Sequence, residues 1–463
     1  MTLASSASGI NVTFHGAAQT VTGSMHLLET PDARILLDCG LMLGEGDDVQ
    51  VRNREFPFAA SWIDAVLLSH AHIDHCGNLP NLVRQGFTGP IYCTPATHEL
   101  MAIMLADSAK IQAEEAAFAS SFDECSTALL YSGKEVAQTL KQCVTVPYGS
   151  SREIAAGMRF HFLDAGHLLG SAMIAVTCEV QGGMRTITYT GDLGRDALHF
   201  LRKPAALPAS DMVICESTYG GRLHQSPGSL NRRLHEVVQQ TLQRGGKVLI
   251  PAFSLGRAQV VVHYLRESMQ AGRLPLVPLY VDSPLATRIA QVYRRHAACL
   301  ASGIAETMSD YDTIQYVCDF QESRDISTRK GPCILVASGG MCEAGRILHH
   351  LEKNIDDPRN SVVLVSYQAP GSVGRKMLER GPSVRLRRKR CNKWADIIDL
   401  NGFSGHADLE DLMRHLSPLA ASQPRVRLVH GNLEQAGALA SMLRAEGFED
   451  IAIPQRADSA SVV

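Results

Sequence analysis

The chain of 463 residues contains no run of about 20 apolar residues, so a membrane-spanning helix is excluded. Its opening residues, MTLASSASGI, lack the basic start and apolar stretch of a secretory leader. Twelve cysteines are present, yet no two form a Cys-x-x-Cys pair. That argues against a zinc ribbon or a redox motif, and in an unsecreted chain against a disulfide framework. A reducing, cytoplasmic setting is expected. There is also no excess of positive charge, since the net charge is −3 with 18 neutral histidines. A nucleic-acid partner would have to be met by a local positive field. With 45% apolar and 20% charged residues, the composition is that of a globular chain, and its length points to more than one core.

Short β-rich runs fill the first two hundred residues: NVTFHG, ARILLDCG, DAVLLSH, PIYCT, RFHFLDAG, AMIAVTCEV and RTITYTGD. Each ends on Gly, Asp, Thr, His or Val at a turn. A helix over THELMAIMLADSAKIQAEEAAFA interrupts them, with apolar positions recurring at three and four. This pattern predicts two sheets with helices outside. From about Asp211 the rhythm changes to strand and helix in alternation, which implies a parallel sheet covered on both faces. Short strands return after about Arg380, with one helix from Asp408, and the polar tail PQRADSASVV is expected to fray.

The run DAVLLSHAHIDHCGNLP carries the strongest signal. An apolar strand ends at Leu68, and the following loop presents His70, His72, Asp74 and His75. Residues two apart in an extended loop point the same way, so His70 and His72 can close on one ion while Asp74 and His75 project toward a second. Imidazole with carboxylate suits Zn²⁺ without thiolates. Further ligands must come from elsewhere. His167 in LDAGHLLGS, Asp192 in TYTGDLG, Asp38 in ILLDCG and His430 in RVRLVHGN each follow a strand beside glycine. Taken singly these read as loop or capping residues; four together form a pattern.

SHAHIDH with downstream AGH and TGD resembles the metallo-β-lactamase superfamily. The resemblance implies one zinc held by His70, His72 and His167, another by Asp74 and His75, a bridging Asp192, and Asp38 orienting the set from behind. Because the fold serves thioesterases, lactonases and nucleases alike, it leaves the substrate open. ICESTYGGR, VASGGM, NGFSGHAD and RLVHGN resemble the β-CASP branch of that superfamily, nucleases that process RNA or DNA. This implies His430 as the last ligand of the second zinc and favours RNA over DNA. It also implies His406 as a general acid held by Glu216, at the scissile phosphate. The catalytic set on this reading is Asp74, His406, Glu216 and Asp38.

Gly339 and Gly340 follow a strand and are expected to open a helix (CEAGRILHHLEKN), where backbone N–H groups could cradle phosphate; a tight turn explains them equally well. Ser254 and Arg257 occupy a similar strand-to-helix junction, and these four with His406 form the expected substrate contacts. His349 and His350 read as structural. The basic run Arg385, Arg387, Arg388, Lys389, Arg390 and Lys393 is either a solvated edge or a grip on RNA backbone. Asn432 stands where relatives commonly carry Glu.

The expected fold class is therefore α/β: a metallo-β-lactamase αββα sandwich from residues 1–205 and 385–463, with a β-CASP domain, 206–384, inserted. The expected activity is hydrolysis of single-stranded RNA with two Zn²⁺ per chain, leaving a 5′ phosphate and a 3′ hydroxyl. Internal cutting and 5′-end cutting stay open, as does the oligomeric state, a homodimer included; no membrane partner is expected. The rivals are a small-molecule zinc hydrolase and a non-catalytic subunit of an RNA-processing complex. The first leaves Glu216 and His406 without a task, and the second predicts lost ligands where none is missing.

Overall fold

Strands β1 (Asn11–Phe14), β2 (His26–Glu29) and β3 (Arg34–Leu37) pair antiparallel in turn, and β4 (Ala65–Leu67), β5 (Ile91–Cys93) and β6 (Cys143–Thr145) extend the sheet in parallel. A second sheet begins with β7 (Ser151–Ala155), β8 (Met158–Asp164), β9 (Ala172–Val180) and β10 (Gly183–Tyr189), all antiparallel, and continues with β11 (Met212–Glu216) parallel to β10. These assignments come from a computed structural model that describes residues 9–44, 46–120, 129–180, 183–304 and 314–462.

Alternation decides which face each side chain covers. Ile35 and Leu37, Phe160 and Phe162, Ile174 and Val176, and Ile187 and Tyr189 point into one shared core between the two sheets. The intervening residues Met173, Val213 and Cys215 face the other way, into a second core beneath the helices Leu409–Leu416 and Leu433–Ala445. Helices Pro95–Ser120 and Gly133–Lys141 pack on each other beside the first sheet. The result is an αββα sandwich.

A second compact unit comprises residues Ala197–Leu201 and His224–Gly405. Its sheet is parallel throughout, in the order β14 (Ile314–Val317), β13 (Leu279–Asp282), β15 (Cys333–Ser338), β12 (Lys247–Ala252), β16 (Ser361–Leu364), β19 (Asp396–Asp399). Its helices include Pro227–Gln243 and Pro284–Arg295, each begun by a serine cap, Ser226 or Ser283, followed by proline. A hairpin of β17 (Ser383–Leu386) and β18 (Lys389–Asn392) completes it. The chain then returns to the sandwich, where β20 (Arg425–Val429) pairs with β11, β21 (Ile451–Ala452) with β20, and β22 (Ser459–Ser461) with β1.

Several expectations meet a different structure. The chain passes between units after Leu223 and Gly405 rather than at 205/206 and 384/385. The reason is strand pairing: fully buried β11 sits between β10 and β20, while β19 hydrogen-bonds to β16. The helix expected directly after Gly339 and Gly340 starts only at Ile347, because Cys342 and Gly345 adopt positive φ and the chain turns twice first. In the basic run, Arg385, Arg387, Arg388, Lys389 and Arg390 are exposed on the hairpin. Lys393 is instead engaged, its Nζ donating to the carbonyls of Met377 and Glu379 at the end of helix Val373–Leu378.

The tail does not fray. Val462 is buried in the sandwich core, and Phe14 N donates to the Asp458 carbonyl while Ala457 N donates to the Phe14 carbonyl. A chain ending at Pro454 is therefore expected to melt roughly 5–10 °C lower, given a buried valine and an exposed sheet edge. An unchanged melting temperature would show that β22 contributes nothing.

Candidate metal centre

The topology brings strand ends to one edge of each sheet. β3 and β4 run parallel, and Asp38 and His70 follow them. β8, β10, β11 and β20 share one direction; His167, Asp192 and His430 follow β8, β10 and β20, and Glu216 is the last residue of β11. His72 caps the short helix Ile73–Cys76, which carries Asp74 and His75. Two of these residues, Asp38 at φ 61° and His430 at φ 47°, hold left-handed backbone that a non-glycine residue adopts at a cost of order 1–3 kcal/mol.

Close approach of the loops depends on glycine at two points. A Cβ on Gly40 would lie 1.7 Å from the Asp74 carbonyl oxygen, and one on Gly194 would lie 1.9 Å from that of Gly166. Any side chain there would displace the loops bearing His75 and His167.

The donor atoms fall into two groups. In the first, His70 Nε2 and His167 Nε2 lie 3.0 and 3.3 Å from His72 Nδ1, and Asp192 Oδ2 lies 3.4 Å from His70 and 3.5 Å from His167. In the second, His430 Nε2 lies 3.3 Å from His75 Nε2 and 3.4 Å from Asp74 Oδ2. The other oxygen of the same aspartate, Asp192 Oδ1, lies 3.3 Å from His75 Nε2 and 3.5 Å from His430 Nδ1. Within each set the ligand atoms all lie within 4.8 Å of one another, and Asp192, His406 and His430 make a third, overlapping set. Asp192 thus offers one oxygen to each group.

These residues fit a pair of metal ions on the chemistry of the donors. Asp192 Oδ1 is buried and makes no hydrogen bond among the described residues. A buried, unsatisfied carboxylate oxygen facing imidazole nitrogens calls for a cation. Burial, then the neighbouring His70, pushes the His72 imidazole down to about 3. Burial likewise lowers His70 and His167, so all three imidazoles are neutral near pH 7. Burial opposes ionisation of Asp192, but His430, His75, His70 and His406 together hold it well below the usual carboxylate range. His75 moves the other way: burial opposes its charge, yet Asp192 and Asp38 raise it well above the ordinary imidazole value.

Beneath the centre lies Asp38, fully buried. Its Oδ2 accepts from Ser69 Oγ at 2.6 Å, His75 Nδ1 at 2.7 Å and Tyr189 Oη at 2.8 Å, and its Oδ1 accepts from Ser69 N at 2.7 Å. Ser69 Oγ also lies 3.0 Å from His70 Nδ1. One carboxylate therefore fixes the ring of His75 directly and that of His70 through a hydroxyl. On the other side Thr218 Oγ1 lies 3.0 Å from His430 Nδ1. Sequence reasoning missed Ser69, Tyr189 and Thr218. Ser69 could have been found as the residue before His70, and Tyr189 as the inward-facing end of the strand leading to Asp192.

His406 stands at the rim. Its Nδ1 is 3.2 Å from Glu216 Oε1 and 3.8 Å from Asp192 Oδ2. Glu216 is fully buried and accepts from the backbone N–H of Leu193 at 2.7 Å, so its position is set independently of the histidine. His72, Asp74 and His406 are the half-buried members of the cluster, and they mark where it opens. Ser254, Arg257, Gly339 and Gly340 belong to the second unit. There Ser254 Oγ meets Ser283 Oγ at 3.1 Å and Arg257 donates to the Val365 carbonyl at 3.0 Å. Asn432 caps the helix Leu433–Ala445, accepting from Gln435 N at 2.9 Å.

Comparison with known families matches residues 33–244 to a beta-lactamase superfamily domain, 258–393 to the Beta-Casp domain and 394–454 to a Zn-dependent metallo-hydrolase RNA specificity domain. A Thermus thermophilus protein named Ribonuclease TTHA0252 is 37% identical over 441 residues, covering 94% of this chain and 96% of its own length. Transcription termination factor FttA of Methanosarcina mazei is 32% identical over 452 residues, covering 93% and 68%. A solved structure from Enterococcus faecalis V583 aligns over 98% of this chain at a TM-score of 0.55 and 14% identity, a likeness of fold alone.

Removing a donor to Asp38 should loosen the ligands above it. Tyr189→Phe and Ser69→Ala are expected to weaken metal affinity roughly 10–100-fold, as measured by competition with a chelator. Parent affinity in both variants would remove Asp38 from any orienting role.

Proposed function

The chain belongs to the β-CASP family of the metallo-β-lactamase superfamily, and from that premise we propose that it hydrolyses phosphodiester bonds of single-stranded RNA at a centre of two zinc ions. The observation that carries this reading is the division of Asp192, one oxygen to each of two histidine groups. His70, His72 and His167 would hold one ion, Asp74, His75 and His430 the other, with Asp192 between them. When bound, such a pair lowers the pKa of a shared water and offsets charge developing on the phosphate oxygens. RNA as substrate is supported by the RNA specificity domain matched at 394–454 and by the relative named a ribonuclease.

The protein's own groups do the rest. Asp38 orients His75, and through Ser69 it steadies His70. Asp192 and Asp74 carry the negative charge that keeps cations in place. His406 is suited to protonate the departing 3′ oxygen, with Glu216 holding the ring by its Nδ1 and Nε2 as the proton donor. Burial would strip the proton from His406, but Glu216 and then Asp192 raise its pKa to about 9. Bound cations would cancel the share due to Asp192, leaving Glu216 as the group that keeps the acid loaded. A small-molecule hydrolase of this fold would have no use for that pair. We infer a reducing, cytoplasmic setting from the eleven described cysteines, none of which is placed in a disulfide.

His406→Ala is expected to keep parent metal content and lose roughly 10²–10⁴-fold in RNA cleavage, with a far smaller loss on an aryl phosphodiester whose leaving group needs no proton. Loss of a metal in this variant would make His406 a ligand, and equal losses on both substrates would make it a phosphate-positioning group. The pH profile carries the sign of the same claim. An acid works while protonated, so RNA cleavage should hold below the His406 pKa and fall as pH rises through it. Glu216→Gln should move that falling limb to lower pH; an unmoved limb would assign it to another group.

A further inference from the structure

In the second unit, three adjacent parallel strands, β15, β12 and β16, end in loops that leave two large aromatic side chains in solvent. Phe253 directly follows β12 and is 43% exposed; Tyr367 follows β16 and is 45% exposed. Strands β12 and β16 are paired neighbours in the sheet and run parallel, so the loops carrying Phe253 and Tyr367 leave the same sheet edge.

Phe253 is seated rather than dangling. The register that pairs Ala252 with Ser338 brings it to the loop after β15, where a Cβ on Gly340 would lie 2.9 Å from the ring. Glycine at 340 lets the ring lie against the backbone on one side while the other stays open. The loops beneath are tied together. Gln368 Nε2 donates to the Gly340 carbonyl at 2.9 Å, Gly374 N donates to the Met341 carbonyl at 3.0 Å, and Arg257 donates to the Val365 carbonyl at 3.0 Å. The two exposed rings are thus carried on loops fixed by hydrogen bonds, not on free ends of chain. The helix joined through Gly374 carries two exposed cations, Arg375 and Lys376, on the same loop cluster.

Flat exposed rings at the same sheet edge with cationic side chains at their flank fit single-stranded nucleic acid, whose bases stack on the rings while its phosphates meet the cations. We propose that Phe253, seated on Gly340, and Tyr367 form a stacking platform for two bases of single-stranded RNA, with Arg375 and Lys376 meeting the backbone. The platform rests on the reading of the chain as a ribonuclease and adds the element that engages bases without regard to sequence. It also gives Gly340 a role as the seat of a ring, in place of a phosphate cradle.

The test compares two polymers on the metal-loaded full chain: a phosphorothioate oligouridylate, and an abasic ribose-phosphate chain of equal length, each followed by fluorescence anisotropy. Phe253→Ala and Tyr367→Ala should each weaken oligouridylate binding roughly 5- to 100-fold and leave the abasic chain unaffected. Phe253→Trp and Tyr367→Phe should restore the preference for the base-bearing polymer. Parent melting temperature and metal content in the alanine variants establish that the fold is intact. If the parent binds oligouridylate and both alanine variants bind it equally well, the platform is overturned while the ribonuclease reading stands. Equal weakening on both polymers would overturn it too, since the rings would then serve the backbone or the fold. If the parent binds neither polymer, the RNA reading falls and the platform with it.

Discussion

Asp192 is a carboxylate buried to within 2% of full occlusion, and its five ion-pair partners are all histidines: His70, His75, His167, His406 and His430. Burying a charge in this way is tolerable only when opposite charge is supplied at close range. Histidine does this poorly by itself, because burial also drives imidazoles toward neutrality, as His70, His72 and His167 show. The arrangement is resolved by cations that neutral imidazoles can ligate. The remainder of the first unit can be understood as the means of assembling that cluster. Four strands of one sheet and two of the other deliver their terminal residues to a common edge, and glycines at 40 and 194 let the loops touch.

A second buried carboxylate, Asp38, performs a different task with the same chemistry. It is satisfied entirely by protein donors: Ser69 twice, His75 and Tyr189. It belongs to none of the groups that could hold a metal among the described residues. Its effect is directional, since the hydrogen bond to His75 Nδ1 turns Nε2 of that ring toward Asp192. Glu216 repeats the device at the rim, held by backbone N–H and holding His406. Three buried acidic groups thus sit in three settings: Asp192 among five histidines, Asp38 against His75, and Glu216 against His406.

Much of this was legible in the sequence because the clustered His and Asp residues follow strands, and strands are read from alternation. SHAHIDH placed four donors in one short segment, although Asp74 and His75 ride on the helix Ile73–Cys76 and not in the extended loop expected, and the Gly-flanked His167, Asp192 and His430 stood out by their position after apolar runs. Ser69, Tyr189 and Thr218 stayed hidden, since what each does depends on a partner brought up by another strand. Lys393 looked like one more member of a basic run because its three carbonyl acceptors belong to a helix end that no local pattern connects to it. The helix after Gly339 was placed early for a similar reason. Helical spacing runs through residues 342–354, but the positive φ at Cys342 and Gly345 is a property of the turn and not of composition. The tail misled because polar residues at an edge strand resemble a frayed end until their pairing with β1 is seen.

The central claim is that two metal ions, shared across Asp192, are needed for cleavage. The most direct measurement strips the protein with a chelator, adds zinc back in fractional equivalents, and follows bound metal together with cleavage of single-stranded RNA. The account predicts saturation at two equivalents per chain, with RNA cleavage appearing only as the second is filled. Full activity at one equivalent, or none lost on stripping, would contradict it.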